Sequence, residues 1–250
     1  MKKMIALLLA LTLALAMAAC SITPAPESTP APETTETPET TEATEATSDV
    51  MTYAEYDAAA LEAEVIVECY VQATQSWWDN KITVYAQDND GAYFIYELAC
   101  SEEDAAKLTA GTKIRVKGFK AEWSGEVEIV DATFEFVDGA DTFVADPLDV
   151  TELLGTEDLI KHQNKKVAFK GLTIEKIEYK NGEPGDDIYV TVKQGENSYS
   201  FCVERYLTDP ETEVYKAFAE LKAGDVVDME GFLYWYEGVN THITAVAKAA

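Results

Sequence analysis

The sequence predicts a mostly β protein. It reads as two tandem five-stranded barrels, each with a short helix between its third and fourth strands, behind a leader and a linker that build no core. Three observations carry this expectation. Hydrophobic residues alternate with period two in several short runs, as half-buried strands do. Three blocks of sequence recur in one order along the chain, the mark of an internal repeat. Residues 21–49 lack the apolar content a core needs.

In chain order, residues 1–19 come first, with Lys2 and Lys3 ahead of an apolar run from Met4 to Met17 and small residues at Ala18 and Ala19. That is the layout of an export signal peptide. The cysteine that follows, Cys20, resembles the lipobox of bacterial lipoproteins, although Met17 stands where Leu is commoner. The resemblance implies a diacylglyceryl group on Cys20. The chain would then be tethered by lipid to the cell membrane, facing the extracytoplasmic side. An ordinary signal peptide or an uncleaved anchor are the alternatives. No later apolar run approaches the roughly 20 residues that span a bilayer.

Residues 20–49 form an acidic Thr/Pro/Glu-rich linker, with five of the eight prolines and neither a base nor an aromatic ring. Such a segment cannot offset its ordering entropy and reads as a disordered tether. Extended at ~3.1 Å per residue it would reach on the order of 90 Å.

The remaining residues divide into 50–145, where 19 acids face 6 bases, and 146–250, where 20 face 11. Phosphate backbones are bound by Lys and Arg displacing counterions, so this charge argues against a nucleic-acid partner. It suits a neutral or cationic one: a saccharide, a peptide, a small molecule or a basic protein. Beyond Cys20 the chain has Cys69, Cys100 and Cys202, in no metal-ligand spacing. A Cys69–Cys100 bridge and three buried free thiols are both open.

The repeat locates the strands. "LTAGTKIRVKGF" (Leu108–Phe119) matches "LKAGDVVDMEGF" (Leu221–Phe232), "ITVYAQDNDGAYFI" (Ile82–Ile95) matches "IYVTVKQGENSYSF" (Ile188–Phe201), and "VIVECYV" (Val65–Val71) matches "VAFKGLT" (Val167–Thr173). Each copy reads strand, strand, strand, helix, strand, strand. The turns "DNDG" and "QGEN" join the second and third strands. "SEEDAAKL" (Ser101–Leu108) is a helix with Ser101 as its N-cap, and "TDPETEVYKAFAEL" (Thr208–Leu221) its counterpart, with Pro210 early in it. Lead-in helices, "YAEYDAAALEA" and "TEDLIKHQ", are expected to cap the barrel bottoms.

This element order and the "L-x-x-G-x-x-V-x-V-x-G" fourth strand resemble the OB-fold. The resemblance implies two OB-like domains, 50–145 and 146–250, with ligands crossing strands two and three between the one–two and four–five loops. In the first copy that face would carry Tyr85, Phe94 and Tyr96, flanked by Trp77 and Trp78 in one loop and Trp123 in the other. These six are the candidate ligand-binding residues, as stacking platforms. The alternative is that they form an interdomain core. Tyr234, Trp235 and Tyr236 of the second copy open a weaker second site or a part in that packing.

No catalytic constellation emerges: neither a Ser–His–Asp pattern, a nucleophile elbow nor a phosphate-cradling glycine loop. Asp88, Asp90, Gly91 and Glu97 match only part of a calcium loop and read better as turn chemistry. Asp186 and Asp187 should end a loop in solvent, and His162 and His242 should lie on the surface. A non-enzymatic binding module without metal or cofactor is expected. A nucleic-acid-binding OB protein and a scaffold without a small ligand are the alternatives.

Overall fold

A computed structural model describes residues 49–249. The expected signal peptide, the lipidation site Cys20 and the linker up to residue 48 lie outside the described residues. No helix among the described residues is long and apolar enough to cross a membrane.

The chain enters through α1 (Tyr53–Ala58), which Thr52 and Glu55 start with a reciprocal capping box. Tyr56 drops from it into the first core. At its far end the buried Lys120 ammonium donates to the carbonyls of Tyr56, Asp57 and Ala59 at 3.1, 2.7 and 3.0 Å. Carbonyls in the last turn of a helix lack onward helical partners, so the lysine both caps α1 and ties it to the barrel.

The barrel is closed in the order β1-β2-β3-β5-β4, from β1 (Glu64–Thr74), β2 (Lys81–Gln87), β3 (Ala92–Ala99), β4 (Lys113–Trp123) and β5 (Glu126–Phe136). This is the neighbour order of an OB-like barrel. Its core takes alternate residues of each strand, among them Val65, Val67, Ile82, Val84, Ala86, Tyr93, Ile95, Ile114 and Val116. Between β3 and β4 lies α2 (Glu102–Ala105), and the Ser101 hydroxyl accepts from the Asp104 N–H at 3.1 Å as its N-cap. The β2–β3 turn is held by Asp88, whose Oδ1 accepts from the Asp90 and Gly91 N–H groups, both at 2.7 Å. Turn chemistry thus accounts for this acid. A side chain at Gly91 would run into the Tyr53 ring, so only glycine lets α1 seat there.

The second sheet runs β10-β11-β9-β8-β7-β6, and β10 also pairs with β7. Its strands are β6 (Leu148–Asp149), β7 (Lys166–Tyr179), β8 (Ile188–Gln194), β9 (Asn197–Val203), β10 (Val226–Phe232) and β11 (His242–Lys248). Setting β6 aside, the neighbours repeat those of the first barrel. The core gathers Phe169, Ile188, Val190, Val192, Phe201, Val227 and Met229.

All four expected helices come out shorter: α1 stops at Ala58 and α2 at Ala105, and the other two change more. The lead-in "TEDLIKHQ" is only a 3-10 turn at Leu159–His162, which still plugs its core with Leu159. The helix expected over 208–221 shrinks to α3 (Glu213–Phe218), capped by Thr212. Pro210 lies in a preceding turn, where the Thr212 N–H is bonded to the Asp209 carbonyl. Cys69, Cys100 and Cys202 are free thiols, all buried.

Candidate functional site

On the outer face of the barrel Tyr85 of β2 stands in register with Phe94 of β3. Both are closed off from solvent. The Tyr85 ring stacks on Phe232, the last residue of β10, with centroids 4.6 Å apart, and Phe94 meets Tyr234 edge-on at 5.2 Å. Tyr85, Phe94 and Phe232 form a third, small hydrophobic core joined by Ala73, Leu207 and Tyr234. Burying each such ring contributes roughly 1.5–3 kcal/mol, so this contact does much to hold the second sheet against the barrel.

Polar groups stitch its edges. The Ser76 N–H donates to the Tyr206 carbonyl at 2.7 Å and the Glu237 N–H to the Ser124 carbonyl at 2.8 Å. Asn164 donates to the Val127 carbonyl at 3.0 Å. Glu126 is wholly buried, and its Oε2 accepts from the Trp235 N–H at 2.8 Å and from Gln163 at 3.2 Å. Its other oxygen has no partner among the described residues. Burial pushes this carboxyl up to about 9, so it is a neutral acid at pH 7.

His242 is not a surface residue. It lies buried at the start of β11, stacked on Tyr234 at 4.2 Å, with Nδ1 2.6 Å from the Tyr85 hydroxyl. Burial lowers it to about 3, so the ring is neutral, and its Nδ1 shares a hydrogen bond with the Tyr85 hydroxyl. The Tyr85 oxygen in turn accepts from Gln75 at 3.1 Å. Asp187 also leaves solvent: it accepts from the Lys180 ammonium at 2.8 Å and from the Arg205 N–H at 3.1 Å.

Two adjoining concavities border this buried centre. An outer groove of about 640 Å³ runs between the β1–β2 loop and the segment after β9, lined by Ser76, Trp78, Lys81, Glu97, Arg205 and Tyr206. Trp78 is 79% exposed and Tyr206 55% exposed. Lys81 pairs with Glu97 at 2.7 Å. The Arg205 guanidinium lies 5.2 Å from the Tyr206 ring centre. A second cavity of about 440 Å³ shares Gln75 and Tyr96 with the groove and is otherwise lined by Phe94, Trp123, Glu128, Tyr234 and His242.

The six expected ligand residues therefore separate. Trp78 and Tyr96 face the groove, while Phe94, Tyr96 and Trp123 border the second cavity. Trp77 touches the groove but is half-buried against the barrel core, its indole N–H donating to the Cys100 carbonyl at 2.9 Å. Adjacent residues of an extended segment point to opposite sides, and this pair divides its labour that way. Tyr85 reaches neither concavity. The expectation that Tyr85 and Phe94 form an open stacking face is corrected: Phe232 and Tyr234 cover it. Gln75, Glu128, Arg205, Tyr206 and His242 were not read as site residues. No local pattern marks them, since residues from the two sheets converge here only through packing.

No protein-family profile and no curated protein matches the chain. Solved structures do match at low similarity. A murine DNA-binding protein bound with double-stranded DNA is 12% identical, with a TM-score of 0.35 over 74% of this chain and 99% of that one. The Ifi202 HINa domain in complex with double-stranded DNA is 14% identical, with a TM-score of 0.34 over 76% and 99%. A variant of the single-stranded DNA binding protein from Thermus aquaticus is 13% identical, with a TM-score of 0.24 over 77% and 97%.

The expectation that net charge argues against nucleic acid is corrected here, since these matched proteins are described as DNA-bound or DNA-binding. The physical fault lies in using a whole-chain sum for one groove. Among the bases of the first barrel, Lys113, Arg115 and Lys117 pair with Glu68, Glu135 and Glu64 across β1, β4 and β5. Lys120 is buried under α1. In the groove itself Lys81 and Arg205 balance Glu97 and Asp209.

Proposed function

We propose that this chain is a non-enzymatic binding module of two tandem OB-like domains, 50–145 and 146–250, held at the extracytoplasmic face of the cell membrane by lipid on Cys20. Its ligand is an oligomer of ring units lying in the groove between the β1–β2 loop and the Arg205–Tyr206 segment. One observation carries this reading: Trp78 and Tyr206 stand exposed on facing sides of a concavity, at the loop where OB barrels take oligonucleotides and oligosaccharides. The membrane anchor rests on the pattern of residues 1–49.

Two ligand classes fit the groove. Glu97, Asp209 and Gln75 supply acceptors for the hydroxyls of a saccharide whose ring faces lie on Trp78 and Tyr206. Single-stranded nucleic acid is favoured by Lys81 and Arg205, which sit beside those rings as a backbone contact would require. Titration of soluble residues 50–250 with a mixed-sequence oligonucleotide and a panel of neutral oligosaccharides, followed by Trp fluorescence, decides between them. Trp78→Ala and Tyr206→Ala should each weaken the productive ligand by about tenfold, as loss of one stacked ring does. Saturable binding that both variants leave intact would remove the groove from consideration.

A further inference from the structure

The second cavity has a chemistry of its own. Phe94, Tyr96, Trp123 and Tyr234 surround it on several sides, and Glu128 is its one carboxylate. The placement follows from strand register. Glu128 of β5 sits beside Phe94 of β3 on the outer face, while Ile129 and Ile95 beside them point inward. Across β4 its partner is Ala121, whose small side chain leaves room, and Trp123 follows two residues along. Tyr234 closes the far side, packed edge-on against Phe94.

Glu128 is 8% exposed, yet among the described residues its carboxylate has neither an ion pair nor a hydrogen-bond partner. No Lys or Arg lines the cavity, and His242 on its wall is neutral. A buried carboxylate without a partner is costly; burial shifts Glu128 toward its neutral acid, and a cation beside it would offset that shift and hold the charged form. Aromatic faces carry negative quadrupoles that attract cations, and rings arranged about one carboxylate recognise quaternary and methylated ammonium groups. A quaternary head needs no hydrogen bonds, which the ring faces here could not provide.

We propose that this cavity is a binding site for an organic cation of the quaternary or methylated ammonium class, with its charge against Glu128 and its methyl groups against Phe94, Tyr96, Trp123 and Tyr234. The volume, about 440 Å³, exceeds what a trimethylammonium head needs, so the ligand continues toward Gln75 and the groove. The strongly acidic chain draws cations toward the site. The site adjoins the groove assigned above but does not depend on what fills it.

The test uses choline as the probe, with its uncharged isostere (carbon in place of nitrogen) as the control, by calorimetry and by Trp emission on residues 50–250. Choline should bind saturably and the isostere at least about tenfold more weakly. Glu128→Gln should abolish that preference, and Trp123→Ala, at an exposed position, should weaken choline by about tenfold while leaving the melt unchanged. Trp78→Ala should leave choline binding intact, so that loss of the groove ligand and loss of the cation site are told apart. Equal binding of choline and isostere, full choline affinity in Glu128→Gln, or no saturation in the millimolar range overturns the proposal.

Discussion

Glu126 makes the joint between the barrel and the second sheet sensitive to pH, and Glu126→Gln isolates that sensitivity. The carboxyl is raised from 4.5 to about 9, chiefly by burial. Between those values the folded chain keeps a proton that the unfolded chain has released, so stability falls as pH rises. Its contribution is full below about 4.5 and is lost by about 9. Each pH unit in that window is worth about 1.4 kcal/mol. From pH 6 to pH 8 the loss is then about 2.7 kcal/mol, or roughly 5–10 °C in Tm for a fold of this size.

A glutamine in place of Glu126 would keep the shape and the acceptor for the Trp235 N–H and Gln163 but could not ionise. Thermal melts of both proteins across pH 5–8.5 should therefore nearly coincide at pH 5, with the variant ahead by several degrees at pH 8. Glu204, also raised by burial, tilts both curves together and cancels in the difference, whereas the nearby Glu128 charge helps raise Glu126 and belongs to the effect measured. Parallel curves, or a variant less stable at every pH, would refute the assignment of Glu126 as a neutral latch.

The tryptophan pair should behave asymmetrically. Trp78→Ala leaves Tm within about 1 °C, as surface substitutions do, whereas Trp77→Ala, losing core packing and the bond to Cys100, costs about 2–4 kcal/mol by denaturant melts. Phe232→Ala empties the small core between the sheets and costs about 3–5 kcal/mol, with hydrogen exchange rising first at Tyr85 and Phe94. Lys120→Met strands the carbonyls of Tyr56, Asp57 and Ala59; a loss of about 1–3 kcal/mol with faster exchange in α1 is expected, and an unchanged exchange pattern would contradict its capping role. In native protein Cys69, Cys100 and Cys202 should resist alkylation, and all three should react in denaturant, since burial raises each thiol.

Much of the barrel was legible because a strand exposes its inside in its alternation. Ile82, Val84 and Ala86 point inward as their period requires, and Asp88 and Ser101 act as the turn and cap residues their positions suggest. Local geometry depends on local sequence, so these readings transfer directly. The candidate site was legible only in part. Trp78, Tyr96 and Trp123 are exposed around it, but the partner that covers Tyr85 and Phe94 lies more than a hundred residues away, and no period in β2 or β3 points to it.

Phe119 and Phe232 show the limit most clearly. They hold the same place in the repeat, yet Phe119 is 42% exposed and Phe232 3%. An outward aromatic looks alike in sequence whether water or another sheet faces it. By itself the sequence determined the order of strands, the inward faces and the turns. Only the tertiary structure decided which outward rings became an interface, which stayed open, and where an acid was left alone among them. Those outcomes depend on long-range packing between the two sheets, whose energy comes from the surfaces they bury together.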